Sequence, residues 1–269
     1  QDEDTGEKVT ANPLMLSMVA NIFLAALAGG AATQQTKMPE TITELYHVAT
    51  SSMLGKLDPP GGSAGAPSPE TEKIKLLLEA IFYQAHVAET RTVEEEHVWK
   101  AALNLSHSLE TPEAWLDAER RIRSADTTFV AKKLAPAWRA AAEAVCTRLR
   151  EDSLPLLSLL SAAPLKAQSS HLSFQEFFAA RSVAKFGARV ARGDRDRPAH
   201  VWSGGSSKVV PWELSEWWAN ALRLGEEMGV DFAAGLLKAA GMTGVDHLDL
   251  RAHLLQKEAL PGASISLGS

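Results

Sequence analysis

Apolar residues recur every three or four positions along most of this chain, and this spacing constrains its fold more than any other feature. The pattern is clearest in segments 12–30, 39–57 and 70–88. A repeat of this period places apolar side chains on one face of a helix. Residues 165–173 are too short and polar for a helix and are interpreted as a strand. Segment 90–106 begins with a short extended stretch, and segment 245–255 begins with alternating apolar residues that could start a strand. We therefore predict a mainly α-helical protein.

The first helix, over 12–30, has the clearest ends. Asn12 suits the N-cap, Pro13 suits the first helical position, and Gly29 begins a glycine pair that ends the helix. Its apolar residues cover nearly all faces, which predicts a core helix. It is too short for a membrane span, and it contains Asn21.

Further helices follow the same period. In segment 39–57, Thr41 and Glu44 have the spacing of a capping box. Residues 58–69 are rich in glycine and proline and are interpreted as a loop. The remaining predicted helices cover 70–88, most of 90–106, 111–129, 130–152, 154–164, 173–187, 211–229 and 231–242.

Composition narrows the class of protein. The chain has 269 residues, a net charge of −6 and 45% hydrophobic residues, enough for one large core or two smaller ones. The acidic balance argues against a general nucleic-acid or membrane-surface binder. One cysteine, Cys146, excludes an intramolecular disulfide, and it is interpreted as a buried thiol. The chain begins at Gln1 without a signal peptide, so we expect a cytoplasmic fragment of a longer protein.

The stretch QSSHLSFQEFFAARSVA, 168–184, contains a well-marked helix start. Ser173 as N-cap and Glu176 three residues later form a capping box. Leu172 and Phe177 have the spacing of a hydrophobic staple. The three phenylalanines of the stretch fall on one face and are predicted to be buried.

His171 is not explained by this local pattern. It precedes exposed N–H groups at the positive end of the helix dipole, a favourable place for an anion such as a phosphate. The alternative is a histidine that hydrogen-bonds a nearby carbonyl.

Other candidate sites are weaker. There is no G-x-x-x-x-G-K-[ST] phosphate loop. Glu94–His97 is a charge cluster without a second histidine at metal-ligand spacing, so it is interpreted as a solvated helix face. The basic runs 120–123 and 131–133 lie among acidic residues and are interpreted in the same way. Three tryptophans of segment 211–229 are predicted to pack their helix onto a neighbour, and the alternative is a partner-binding face; they are Trp212, Trp217 and Trp218. We therefore expect neither a catalytic residue nor a metal site in this chain.

Three segments resemble a known family in the same order. Residues 171–180, HLSFQEFFAA, resemble the winged-helix signature of NACHT-domain proteins, the NOD-like receptor branch of the STAND nucleotide-triphosphatases. Residues 12–18, NPLMLSM, resemble the start of the family's first helical domain. The segment Pro39–Tyr46 resembles the following block, in which a proline precedes a helix with a Leu-Tyr pair.

The resemblance implies a domain layout. Residues 10–90 would be the first helical domain and 91–187 a winged-helix-like domain. A linker would cover 188–210, and a C-terminal helical segment, leading into a repeat array, would cover 211–269. The nucleotide-binding domain would precede the chain.

The resemblance also implies a function. His171 would contact the β-phosphate of ADP and Pro13 would pack near the adenine, while the preceding domain holds most of the nucleotide. The chain would be a regulatory module that keeps an ADP-bound monomer closed. Exchange for ATP would open it, expose an assembly surface and allow homo-oligomers to form in signalling. A DNA-binding winged helix is the alternative, but it needs a basic recognition helix.

Overall fold

A computed structural model of the chain describes residues 16–20, 39–55, 57, 69–106, 112–124, 127–191 and 216–239. Within them the protein is mainly α-helical, which confirms the predicted fold class. Residues 16–20 are helical, with Met18 fully buried and Leu16 half exposed. Across the described ranges, no helix has both the length and the hydrophobicity of a membrane span.

The chain divides into two compact units, residues 1–179 and 180–269. In the first unit, helix α1 covers Ile42–Gly55. Its start confirms the predicted cap, because the Glu44 N–H donates to Thr41 Oγ1 at 3.1 Å. The Glu44 carboxylate in turn accepts the N–H of Glu40 at 2.7 Å. One face of α1 is buried, through Leu45, Tyr46, Ala49, Thr50 and Leu54.

Five helices and one short strand come next after α1 in the described part of the first unit. They are α2 (Pro69–Val87), β1 (Thr92–Glu94), α3 (Glu95–Ser106), α4 (Pro112–Arg123), α5 (Thr127–Lys133) and α6 (Pro136–Arg150). Helix α2 packs against α3 and α6, and α3 also packs against α6. The helix predicted over 111–129 is shorter than expected, since α4 ends at Arg123 and α5 is separate.

Strands β2 (Leu157–Ala162) and β3 (Leu165–Ser169) form a hairpin. Strand β3 also pairs with β1, so the antiparallel sheet has the order β1-β3-β2. The strand predicted over 165–173 is confirmed for β3, whereas the helix predicted over 154–164 is wrong. A short apolar run is compatible with either a buried helix or a strand. Residues 157–162 form a strand because they pair with β3.

The end of α6 fixes the position of this hairpin. The Asp152 and Ser153 N–H groups donate back to the Leu149 and Arg148 carbonyls at 3.1 and 2.9 Å. Asp152 lies in the left-handed region at φ 49°, as the residue after a helix often does. Its Oδ1 accepts the Leu159 N–H at 2.8 Å, so the helix end holds strand β2 directly.

Helix α7 covers Leu172–Ala191, and its residues up to 179 belong to the first unit. Phe174, Phe177 and Phe178 are each at most 2% exposed, which confirms their predicted burial. The helix begins at Leu172, one residue earlier than predicted.

The second unit contains the rest of α7, a 3₁₀ turn at Glu216–Trp218, α8 (Ala219–Glu227) and α9 (Val230–Ala239). Trp218 is 1% exposed, which confirms that it packs inside the protein. The first four residues of the linker predicted over 188–210 belong to α7, which ends at Ala191. Pro13, Trp212 and the rest of that linker lie outside the described residues.

Replacing Gly235 with alanine is expected to destabilise the second unit by about 1–3 kcal/mol. A Cβ atom at this position would lie 2.2 Å from the Val183 carbonyl oxygen and 2.9 Å from its carbonyl carbon. Backbone cannot move aside as a flexible side chain does, so the clash outweighs the gain of about 1 kcal/mol in helix propensity. Hydrogen exchange of α8 and α9 should therefore be faster in Gly235→Ala. Gly55→Ala, whose Cβ would meet nothing within 4 Å, is the matched control. Equal exchange in both variants would contradict the prediction.

Candidate functional site

His171 lies in the turn between β3 and α7, where the chain passes from the sheet into the helix. Because α7 begins at Leu172, His171 occupies the N-cap position itself, not the place two residues before a Ser173 cap that the sequence predicts. Its backbone oxygen accepts the Phe174 N–H at 3.2 Å. The same oxygen accepts the Ser169 hydroxyl at 2.5 Å.

The residues on either side of His171 are tied to distant parts of the first unit. The N–H and the hydroxyl of Ser170 both donate to the Leu156 carbonyl, at 3.0 and 3.1 Å. The Gln175 side-chain amide donates to the Thr90 carbonyl at 2.8 Å. The turn is therefore held by the hairpin on one side and by the start of β1 on the other.

His171 is exposed, whereas Ser169 and Phe174 beside it are buried. Its ring centroid is 6.0 Å from that of Phe174, in an edge-on arrangement at 69°. Phe174 thus supports the ring on one side and leaves the rest of it accessible. An accessible imidazole at a helix N-terminus can donate to an anionic oxygen, and the nearby N–H groups favour negative charge.

An aromatic cluster lies beneath this turn, and it joins two segments that are distant in sequence. Tyr46 of α1 stacks on Phe177 with centroids 5.5 Å apart, and it meets Phe174 edge-on at 5.9 Å. Phe178 stacks on Phe82 of α2 at 5.2 Å and 3°. The Tyr46 end of the segment Pro39–Tyr46 therefore contacts the helix start at 171–180.

The Glu94–His97 cluster has a structural role, and the interpretation of His97 as part of a solvated face is wrong. His97 is only 6% exposed, and its Nδ1 accepts the Glu94 N–H at 2.9 Å. Burial lowers the pKa of His97, so it caps the helix as a neutral imidazole. Glu95 accepts hydrogen bonds from Arg150 at 2.9 Å and from the Trp99 indole at 3.1 Å. In the described part of the chain, no three His, Cys, Asp or Glu residues are grouped so as to hold a metal ion.

Cys146 is buried in α6, as the sequence predicts. Burial raises its pKa to about 12, and the nearby Glu95 carboxylate acts in the same direction. The thiolate form, which is the nucleophile, is therefore strongly disfavoured near neutral pH.

No family model, curated protein or solved structure matches this chain. Of the two predicted site residues, His171 is placed at an accessible helix start and Pro13 lies outside the described residues. Sequence reasoning missed Ser169 and Gln175 as contributors to this site. Serine and glutamine near a helix start are common, and no local signal shows which distant backbone groups they bond.

Proposed function

We propose that this chain is the regulatory helical and winged-helix module of a NACHT-type STAND nucleotide-triphosphatase. In this role it stabilises an ADP-bound closed state and couples exchange of ADP for ATP to homo-oligomerisation in signalling. Its first partner is a nucleotide-binding domain of the same protein, which holds most of the ADP or ATP.

The contact between Tyr46 and the pair Phe174 and Phe177 is the observation that carries the proposal. The sequence resemblance rests on three separate segments, and two of them, Pro39–Tyr46 and 171–180, meet through these rings. Segments that separately resemble one family and also pack together support one shared architecture better than chance similarities do. The third segment, with Pro13, stays a prediction.

The order of elements from α2 to β3 supports a winged helix. A helix, a short strand, further helices and a terminal hairpin follow one another, and the first strand joins the hairpin in the order β1-β3-β2. Helix α2 packs against both α3 and α6, so we assign it to the winged helix although it precedes residue 91. The boundary between the two helical domains then falls before Pro69.

The donors at the start of α7 suit a phosphate. His171 offers an exposed ring N–H, and the first turn of a helix has backbone N–H groups without intrahelical partners. A hydrogen bond to a charged group contributes about 1.5–3 kcal/mol. If that bond forms only in the closed arrangement, ADP shifts the population toward closure.

Two ion pairs of the described basic residues argue against the DNA-binding alternative. The helix before the hairpin, α6, carries Arg139, Arg148, Arg150 and Glu143, and the Arg150 guanidinium is paired with the Glu95 carboxylate at 2.9 Å. In the basic run 120–123, Arg121 is bonded to Asp117 at 3.2 Å. A helix that reads DNA needs unpaired basic groups facing the phosphates.

His171→Ala is expected to reduce ADP retention by roughly tenfold to a hundredfold in the protein as its gene encodes it. The substitution removes one charge-assisted donor and leaves the helix cap intact, because the cap bonds here use the backbone oxygen of His171. The measurement is the ADP released from purified protein on denaturation, together with the oligomeric state by light scattering. We expect less ADP and more oligomer.

His47→Ala, which changes another exposed histidine of the first unit, is the control and should retain ADP. Unchanged ADP retention and a monomeric state in His171→Ala would overturn the sensing role. The gene offers an independent check, because a phosphate-loop motif should lie within about 200 residues before Gln1. A gene without one would refute the assignment to a STAND protein.

A further inference from the structure

We propose that Ser169 is a positioning residue for His171, and that it fixes the direction in which the imidazole leaves the helix start. The inference rests on the proposed function, since it assumes that His171 contacts a phosphate. It concerns a buried side chain that would not itself touch the ligand.

The bond from Ser169 to His171 links a rigid donor to the helix cap. Ser169 is fully buried, and its hydroxyl donates to the His171 backbone oxygen. That oxygen already accepts the Phe174 N–H. The peptide unit of His171 is thus held from the strand side and from the helix side. Its orientation determines where the Cα–Cβ bond points.

The donor itself has little freedom to move. Ser169 is the last residue of β3, the middle strand, and it is paired with Leu157 of β2. On its other side, its N–H donates to the Arg91 carbonyl at 3.4 Å. The three-stranded sheet therefore sets the position of the hydroxyl.

Gln175 provides a second tie one turn into the helix. It is fully buried, and its side-chain amide donates to the Thr90 carbonyl just before β1. This bond ties the first turn of α7 to the residues that lead into β1. Hydrogen bonds therefore hold both the turn, at Ser169, and the first turn of α7, at Gln175.

A binding group held by supporting hydrogen bonds loses less entropy on binding and keeps its geometry. The His171 backbone oxygen accepts two hydrogen bonds, from the Ser169 hydroxyl and from the Phe174 N–H. Removing the Ser169 hydroxyl leaves only the second bond, so the His171 peptide unit should be able to tilt. The fold should survive, since the substitution removes one oxygen atom and leaves every backbone bond in place.

The test compares Ser169→Ala, Ser170→Ala and the double variant Ser169→Ala with His171→Ala in the protein as its gene encodes it. The readout is ADP retention, and the unfolding midpoint confirms that each variant is folded. Ser169→Ala is expected to weaken retention about threefold to tenfold. Ser170→Ala is the matched control and should resemble the wild type, because its N–H still donates to the Leu156 carbonyl after the hydroxyl is removed.

The double variant separates positioning from general stability. If Ser169 acts through His171, the double variant retains as much ADP as His171→Ala alone, within about twofold. A fully additive loss, or wild-type retention in Ser169→Ala, would overturn the inference while leaving the role of His171 intact. Wild-type retention in His171→Ala would instead show that the proposed function has failed.

Discussion

Replacing Phe178 with alanine is expected to lower the free energy of unfolding of the first unit by about 3–5 kcal/mol. The side chain is 1% exposed, and it stacks on Phe82 with the rings only 3° from parallel. It also meets Phe177 edge-on with centroids 5.3 Å apart. Alanine would remove both ring contacts and leave a cavity between α2 and α7, which neighbouring side chains can fill only in part.

Urea denaturation followed by far-UV circular dichroism would measure this loss as a lower unfolding midpoint. Leu160→Ala is the control, because Leu160 is 56% exposed and its truncation should change stability by no more than about 0.5 kcal/mol. Phe178→Leu should fall between the two, since it keeps most of the buried volume. If Phe178→Ala and Leu160→Ala unfold at the same urea concentration, the aromatic cluster does not stabilise this unit.

Acidification is expected to destabilise the protein through His86, by roughly 3 kcal/mol over the full titration. His86 is completely buried in α2, and burial lowers its pKa from 6.5 to about 4. Between these two values the unfolded chain binds a proton that the folded protein does not accept. Stability therefore falls as the pH drops from about 6.5 to about 4, and it is independent of this group above that window.

The contribution of His86 can be isolated with His86→Leu, which fills a similar volume and does not titrate. Urea midpoints measured from pH 7.5 to pH 4 should fall more steeply in the wild type than in the variant. Burial lowers the pKa of His97 as well, so part of the acid sensitivity should remain in His86→Leu. Parallel pH profiles for the two proteins would contradict a role for His86.

Local signals predicted much of this fold correctly. The Thr41 cap needs only a hydroxyl and an acid three residues later, and it forms with the Glu44 N–H as expected. The short extended stretch before the helix of 90–106 appears as β1, followed by α3 from Glu95. The spacing of Phe174, Phe177 and Phe178 was sufficient to predict their burial. Each of these features depends on residues within about one helical turn.

Features that depend on distant partners were predicted poorly. Residues 157–162 form a strand because β3 supplies backbone partners, and nothing within the run LPLLSLLSAAP reveals that pairing. The site shows the same limit. An accessible His171 at a helix start could be proposed from the sequence, but the bonds of Ser169 and Gln175 that hold it reach atoms brought near by folding. Periodicity reports which face of an element is apolar and carries no information on which element will cover it.

The order β1-β3-β2 has a consequence for the path by which the protein folds. The hairpin of β2 and β3 is local and can form early, whereas Val93 of β1 must find Ala167 across the whole span of α3 to α6. Contacts between residues so far apart in sequence are slow to form, because the chain loses entropy in closing the loop before they stabilise it. The Arg91 and Thr90 carbonyls, which accept hydrogen bonds from Ser169 and Gln175 beside the turn, directly precede β1. They reach the turn only when β1 pairs with β3. The turn at His171 therefore reaches its final geometry only after β1 has paired with β3, so the site depends on the most distant strand pairing in the sheet.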